Sequence, residues 1–112
     1  MILTTWNVNS IRARIENIKD YLNKFSPNIV MVQEIKTEDK TYPYDELKNL
    51  GYESYVFGQK SYNGVAILSK QKLKNVKHDI IKDKNKQSRT ISAEILYKKK
   101  NIQLKNIYVP NE

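Results

Sequence analysis

Two residues set the chemical question. Glu34 follows the apolar run Ile29-Val30-Met31-Val32 and Gln33, and Asn7 follows a β-branched and aromatic opening that ends in Trp6. A carboxylate placed just after a buried strand stands on a partly desolvated rim, where its charge calls for a cation. With no cysteine and a single histidine in 112 residues, thiolate and multi-histidine metal centres are excluded, so any metal must be held by oxygen. Mg²⁺ suits a carboxylate and an amide oxygen, because it takes one or two carboxylates and keeps waters and substrate phosphates around it. From spacing alone Glu34 reads more readily as an ordinary solvated loop acid, and the metal reading needs the residues around it.

The elements that must position this pair can be read from periodicity. Ser10 stands before Ile11, Ile15, Ile18, Leu22 and Phe25, whose alternating spacing of four and three predicts an amphipathic helix, with Asn9 or Ser10 as its cap. Ser26-Pro27-Asn28 stops it. Strands over residues 1–6 and 29–32 on either side make a βαβ unit, whose right-handed crossover sets the strands parallel. Asn7, Asn9, Gln33 and Glu34 then share one rim of the sheet, the edge where ligands of open α/β sheets bind.

Further along, a short helix is predicted over 44–50, ending at Gly51, the usual left-handed cap residue. Residues 52–57 and 65–68 read as antiparallel strands, joined by a loop whose Asn63-Gly64 pair supplies positive φ angles. A strand over 73–81, a charged loop over 82–88 and a hairpin of 90–97 with 101–109 around Lys98-Lys99-Lys100 complete the chain. The expected fold class is α/β: half of a layered α/β sandwich, with a mixed sheet that opens on a βαβ unit and continues in antiparallel hairpins.

Length and composition agree with one globular domain: 39% hydrophobic and 29% charged residues, three Gly and three Pro. No purely apolar stretch exceeds four residues, against about 20 for a membrane-spanning helix. The opening Met-Ile-Leu-Thr-Thr-Trp lacks the features of a secretory leader. A cytoplasmic protein without membrane partners is expected. The formal charge is +8, and residues 70–105 alone carry a net +9. Such a stretch suits phosphate-backbone binding through counterion release. The competing explanation is codon bias, since Lys, Asn and Ile supply 42 of the residues.

The segments Trp6-Asn7-Val8-Asn9-Ser10-Ile11-Arg12-Ala13, Val32-Gln33-Glu34-Ile35-Lys36 and Asn63-Gly64-Val65-Ala66-Ile67-Leu68-Ser69 occur in that order. Arg89 and Tyr108-Val109-Pro110-Asn111 follow them. In this order and spacing the chain resembles the exodeoxyribonuclease III and AP endonuclease family, within the endonuclease/exonuclease/phosphatase superfamily. The resemblance implies two packed sheets flanked by helices. It implies that Asn7 and Glu34 hold Mg²⁺, with Mn²⁺ as the alternative ion, and that Asn9 lies beside them. Tyr108 would contact the scissile phosphate and Asn111 would orient groups near it. Arg12, Lys36, Tyr62 and Arg89 would line the path of double-stranded DNA carrying abasic sites or 3′ ends. Each role has a plainer rival: Tyr108 as a strand-end aromatic with a satisfied hydroxyl, Lys36 as surface charge, and the sole histidine, His78, as an exposed residue.

Members of that family continue into a second α/β half that supplies an Asp-x-Asn pair, a further Asp and an Asp-His. The resemblance thus places residues 1–112 as the amino-terminal half of such a domain, with little or no nuclease activity expected alone and a separately encoded carboxy-terminal half as a candidate partner. One sheet is expected to expose its inner apolar face for want of that half. Ser10 and Glu112 stand where relatives usually have Gly. Two alternatives compete: a non-catalytic nucleic-acid binder using residues 70–105, and a phosphatase of lipids or inositol phosphates, to which Arg12 and the short loops are less suited.

Overall fold

The computed structural model describes residues 1–78 and 87–109. Strands β1 (Leu3–Asn7) and β2 (Ile29–Gln33) are parallel, with α1 (Ile15–Phe25) between them in the chain. Their register runs from Leu3 opposite Ile29 to Asn7 opposite Gln33, so both strands finish level. Ile18 and Leu22 bury one stripe of α1, and Ser26, at φ +43°, closes it by donating its N–H to the Leu22 carbonyl at 3.0 Å. This is the left-handed cap in which the next residue, a proline, cannot continue the helix.

The helix begins four residues later than its apolar spacing suggests, and neither Asn9 nor Ser10 caps it. Ser10 closes a separate turn instead: its Oγ accepts from the Ala13 N–H at 3.2 Å and its carbonyl from the Arg14 N–H at 3.1 Å. The reason lies in the backbone before it. The N–H groups of Ser10 and Ile11 donate to the carbonyls of Glu34 and Ile35, at 2.8 and 3.1 Å. The chain is therefore still tied to the end of β2 where the helix would otherwise start.

A single 3-10 turn (Asp39–Thr41) and the short helix α2 (Tyr44–Lys48) lead into β3 (Glu53–Phe57), with Gly51 at φ +92° between them. Strand β4 (Val65–Ser69) inserts antiparallel between β2 and β3, giving the sheet order β1-β2-β4-β3. Every residue of β4 is buried. Its alternation divides the interior: Ala66 and Leu68 face α1 and α2 with Ile18, Leu22, Val30, Val32 and Leu47, while Val65 and Ile67 face the other way.

That other face is covered by the chain itself. Strands β5 (Lys74–His78), β6 (Thr90–Tyr97) and β7 (Lys100–Ile107) form an antiparallel sheet in the order β5-β6-β7. Ile91, Ala93 and Ile95 alternate along β6 and, with Leu104 of β7 and Leu73, pack on Ile29, Val65 and Ile67. The expectation of a wetted inner face is thereby corrected. The apolar alternation of β6 and β7 supplies a second layer to close the sandwich; the apolar residues left exposed are scattered, Ile2 and Leu3 beside β1 and Val109 after β7 among them. The expected strand over 73–81 is found as β5, and residues 79–81 of it lie outside the described residues. Among the described residues no helix is long and apolar enough to cross a membrane.

Candidate active site

One rim gathers the carboxyl ends of β1, β2, β3 and β7 and the amino ends of β4 and β6. Beyond the strands the hydrogen bonding continues. The Val8 N–H donates to the Gln33 carbonyl at 3.0 Å, next to the Ser10 and Ile11 bonds already described. On the opposite side the N–H groups of Ile35 and Lys36 donate to the carbonyls of Gly64 and Asn63, at 3.2 and 3.0 Å. Residues 34–36 are thus held from both sides.

Several of these residues sit in left-handed backbone: Ser10 at φ +83°, Glu34 and Lys36 at +54°, Asn63 at +58° and Gly64 at +88°. Non-glycine residues adopt this region at a cost. Ser10 does so at the position where the resemblance implies Gly, the residue that adopts this region without a Cβ penalty. At Gly64 any side chain would collide with Ile35, whose Cγ1 would lie 2.5 Å from an added Cβ.

The left-handed turn at Glu34 has a consequence for its side chain. In a regular strand Glu34 would project to the face opposite Gln33. The turn brings its carboxylate instead to Tyr108, which packs on the core between the sheets and donates its hydroxyl to Glu34. The Tyr108 N–H donates to the Arg89 carbonyl at 2.8 Å, so Arg89, Tyr108 and Glu34 meet where β2, β6 and β7 converge. The Tyr108 phenol is pushed above its ordinary range, first by burial and then by the charge of Glu34 and the hydrogen bond to it, while the Arg89 guanidinium pulls the other way.

A second group lies beside it. Asn7, exposed and level with Gln33, accepts the Asn9 N–H on its Oδ1 at 3.2 Å, and the Asn9 Oδ1 accepts from Lys36 Nζ at 2.5 Å. Asn7 and Glu34 therefore occupy adjacent strand ends, as the βαβ reading requires. Arg12 and Lys36 border a cleft of about 290 Å³ with Lys60 and the hydroxyl residues Thr37, Thr41 and Ser61. Tyr62, 56% exposed, extends from the same loop as Lys60 and Ser61. Asn111 lies outside the described residues. His78 is exposed, as expected, yet its ring stacks on Phe57 at 4.5 Å between centroids.

Sequence reasoning missed Lys60 and Asn106, and it set Gln33 on the rim without a role; the side chains of Gln33 and Asn106 join beneath the rim at 2.8 Å. Asn106 left a signal: it falls at a position where β7's alternation calls for an apolar residue. Among the described residues no three His, Cys, Asp or Glu side chains cluster as a ready metal cage. The donor set offered by Asn7 and Glu34 is all oxygen with a single carboxylate. That suits an ion which keeps its waters and shares a substrate phosphate, as Mg²⁺ does.

The chain is similar to known proteins in sequence and in fold. The pattern of the endonuclease/exonuclease/phosphatase family matches residues 4–104. The chain is 35% identical over 96 residues to exodeoxyribonuclease III of Haemophilus influenzae, covering 85% of this chain and 36% of that protein. It therefore spans little more than a third of that relative's length. Among solved structures, an AP endonuclease from Archaeoglobus fulgidus superposes with a TM-score of 0.87 at 32% identity, over 98% of this chain and 42% of that one. A 3′ phosphatase from Neisseria bound to a product DNA hairpin gives 0.84 at 32% identity, over 95% and 40%.

Proposed function

The chain belongs to the endonuclease/exonuclease/phosphatase family, and from that premise we propose that residues 1–112 form the amino-terminal part of a Mg²⁺-dependent DNA-repair nuclease of exodeoxyribonuclease III type. Its reaction is phosphodiester hydrolysis at abasic sites and 3′ ends of double-stranded DNA. The observation that carries this reading is the meeting of Glu34 with Tyr108 and Arg89 across the two sheets, beside Asn7 on the adjacent strand end.

In this reading Asn7 and Glu34 hold the metal ion, Mg²⁺ or Mn²⁺, and Asn9 supports Asn7 through its backbone N–H. When bound, the ion supplies positive charge against the phosphate oxygens. The chain's own residues do the rest. Tyr108, protonated at neutral pH as any tyrosine is and held further from ionisation by its raised pKa, presents an O–H that a phosphate oxygen can accept in place of Glu34 once Glu34 is engaged by the metal. Arg89 adds a cation at that point, and Arg12, Lys36 and Tyr62 extend the contact along the DNA toward the cleft that also contains Lys60. Asn111, outside the described residues, takes from the family resemblance the role of orienting groups at the scissile phosphate.

Catalysis also needs a base to ready the attacking water and further stabilisation of the developing charge, and the loss of a base alone costs about 10²- to 10⁴-fold in rate. The residues that serve these steps in the family pattern belong to its second half. Residues 1–112 alone are therefore expected to bind metal and DNA with little or no cleavage, and the second half of the family pattern is what would complete the site.

An NMR titration with Mn²⁺ tests the metal assignment. Signals of Asn7 and Glu34 should broaden first, and Glu34→Gln should abolish the effect. Folded protein whose Asn7 and Glu34 signals stay unmoved would end the metal assignment, and cleavage of an abasic-site duplex by the purified chain would end the claim of inactivity.

A further inference from the structure

Asn106 is an inward-facing residue of β7, 2% exposed, two residues before Tyr108 and in the same alternation as Leu104. A carboxamide buried there is tolerated only if its hydrogen-bonding groups are met. They are met by the other sheet. Its Nδ2 donates to the carbonyls of Val32 and Ala66, at 2.9 and 2.8 Å, and these two residues are register partners across β2 and β4. Its Oδ1 accepts from Gln33 Nε2 at 2.8 Å. The same Gln33 nitrogen lies 3.0 Å from Thr5 Oγ1 on β1 and 3.2 Å from the Met31 carbonyl.

One pair of amide side chains therefore ties β1, β2 and β4 of one sheet to β7 of the other. Apolar packing alone is weakly directional and tolerates small slides between sheets. The Asn106 carboxamide does not, because a shift of β7 breaks three hydrogen bonds in a dry setting where each broken bond is costly. The place of the pair matters as much as its strength. Gln33 immediately precedes Glu34, and Asn106 lies on the strand end that carries Tyr108.

We propose that Asn106 and Gln33 are positioning residues, a buried amide pair that fixes the two sheets in the one register that brings Glu34 to Tyr108. The inference rests on the reading of this rim as a metal-dependent phosphodiesterase site, and it makes a statement about the metal-free protein that can be judged separately.

The test compares the wild-type chain with Asn106→Leu, Gln33→Met and the double variant. In the metal-free protein, NOEs between the Tyr108 ring and the Glu34 side chain should disappear in each variant, while methyl NOEs in the core between the sheets persist. Mn²⁺ affinity should fall about tenfold in each single variant, as for other residues that orient metal ligands. The double variant should lose little more, because the pair acts as a unit. Folded variants that keep the Tyr108–Glu34 NOEs overturn the proposal. If Asn106→Leu does not fold, Gln33→Met, at a half-buried site, decides the question by the same readouts. If the wild-type chain binds no Mn²⁺, the metal reading fails and the NOE comparison alone decides this one.

Discussion

Tyr108 keeps its proton further into alkali than an ordinary tyrosine, because burial, the neighbouring Glu34 charge and the bond it donates to Glu34 together outweigh Arg89. The folded pKa therefore lies above the unfolded value of about 10. The stabilising contribution is fully present below that unfolded value and is lost as pH rises through the raised folded pKa. Glu34→Gln removes the carboxylate charge and leaves burial, so Tyr108 should titrate closer to about 10 in that variant. Arg89→Gln should move it further upward. Tyrosine-labelled NMR titration resolves Tyr108 from the chain's other seven tyrosines, and an unchanged Tyr108 in Glu34→Gln would show that the two groups do not meet in solution. The sequence already placed Asn7 and Glu34 on one rim, because a buried parallel pair of strands leaves no other place for the residues that follow them. It could not give the contacts among Asn9, Lys36, Glu34 and Tyr108. These depend on left-handed backbone at Ser10, Glu34 and Lys36, residues whose types do not announce it.

Strands were legible where burial on both faces writes a continuous apolar run, as in β2 and β4, and less so at the start of α1. There the apolar spacing counted Ile11 as helical, although its N–H is committed to the Ile35 carbonyl. The β6–β7 hairpin was expected around Lys98-Lys99-Lys100, and its conformation explains why the location was easier to read than the type. Tyr97 pairs directly with Lys100, which leaves Lys98 and Lys99 as a two-residue turn at φ +49° and +66°. This is the mirror-image turn that matches strand twist and is normally made by Asn-Gly. Each lysine is held in a conformation that costs roughly 1–2 kcal/mol in a residue with a Cβ. Lys98→Asn with Lys99→Gly should therefore stabilise the chain by about 1–2 kcal/mol, less the extra freedom glycine gives the unfolded state. Urea unfolding followed by circular dichroism would measure it as a raised midpoint at unchanged slope. A lower midpoint would mean that the turn adopts another geometry.

On the scale of the whole molecule, the question is which of its many cations face the rim. The turn lysines lie at the far end of the eight-residue strand β6 from Arg89, about 26–30 Å away at roughly 3.3 Å per residue. Physiological salt screens exposed charges beyond about 8 Å, so these lysines add to the net charge of +8 without acting on the rim. Lys74, Lys77 and Lys105 are also exposed, on β5 and β7. Arg12, Lys36 and Lys60, by contrast, border one cleft beside Asn9. A count of basic residues and a map of them therefore predict opposite results for DNA binding. If binding follows the map, replacing Lys98, Lys99 and Lys100 with Gln should leave affinity for a duplex within about twofold at physiological salt. Arg12→Gln with Lys60→Gln, which removes one charge fewer, should weaken binding and flatten its salt dependence by about 0.9 in slope for each phosphate that is no longer neutralised. Fluorescence anisotropy across a salt series separates the two, with the tyrosine-rich chain unlabelled and the dye on the DNA. The reverse ranking would make the basic stretch the binding surface and would favour the non-catalytic nucleic-acid binder over the nuclease.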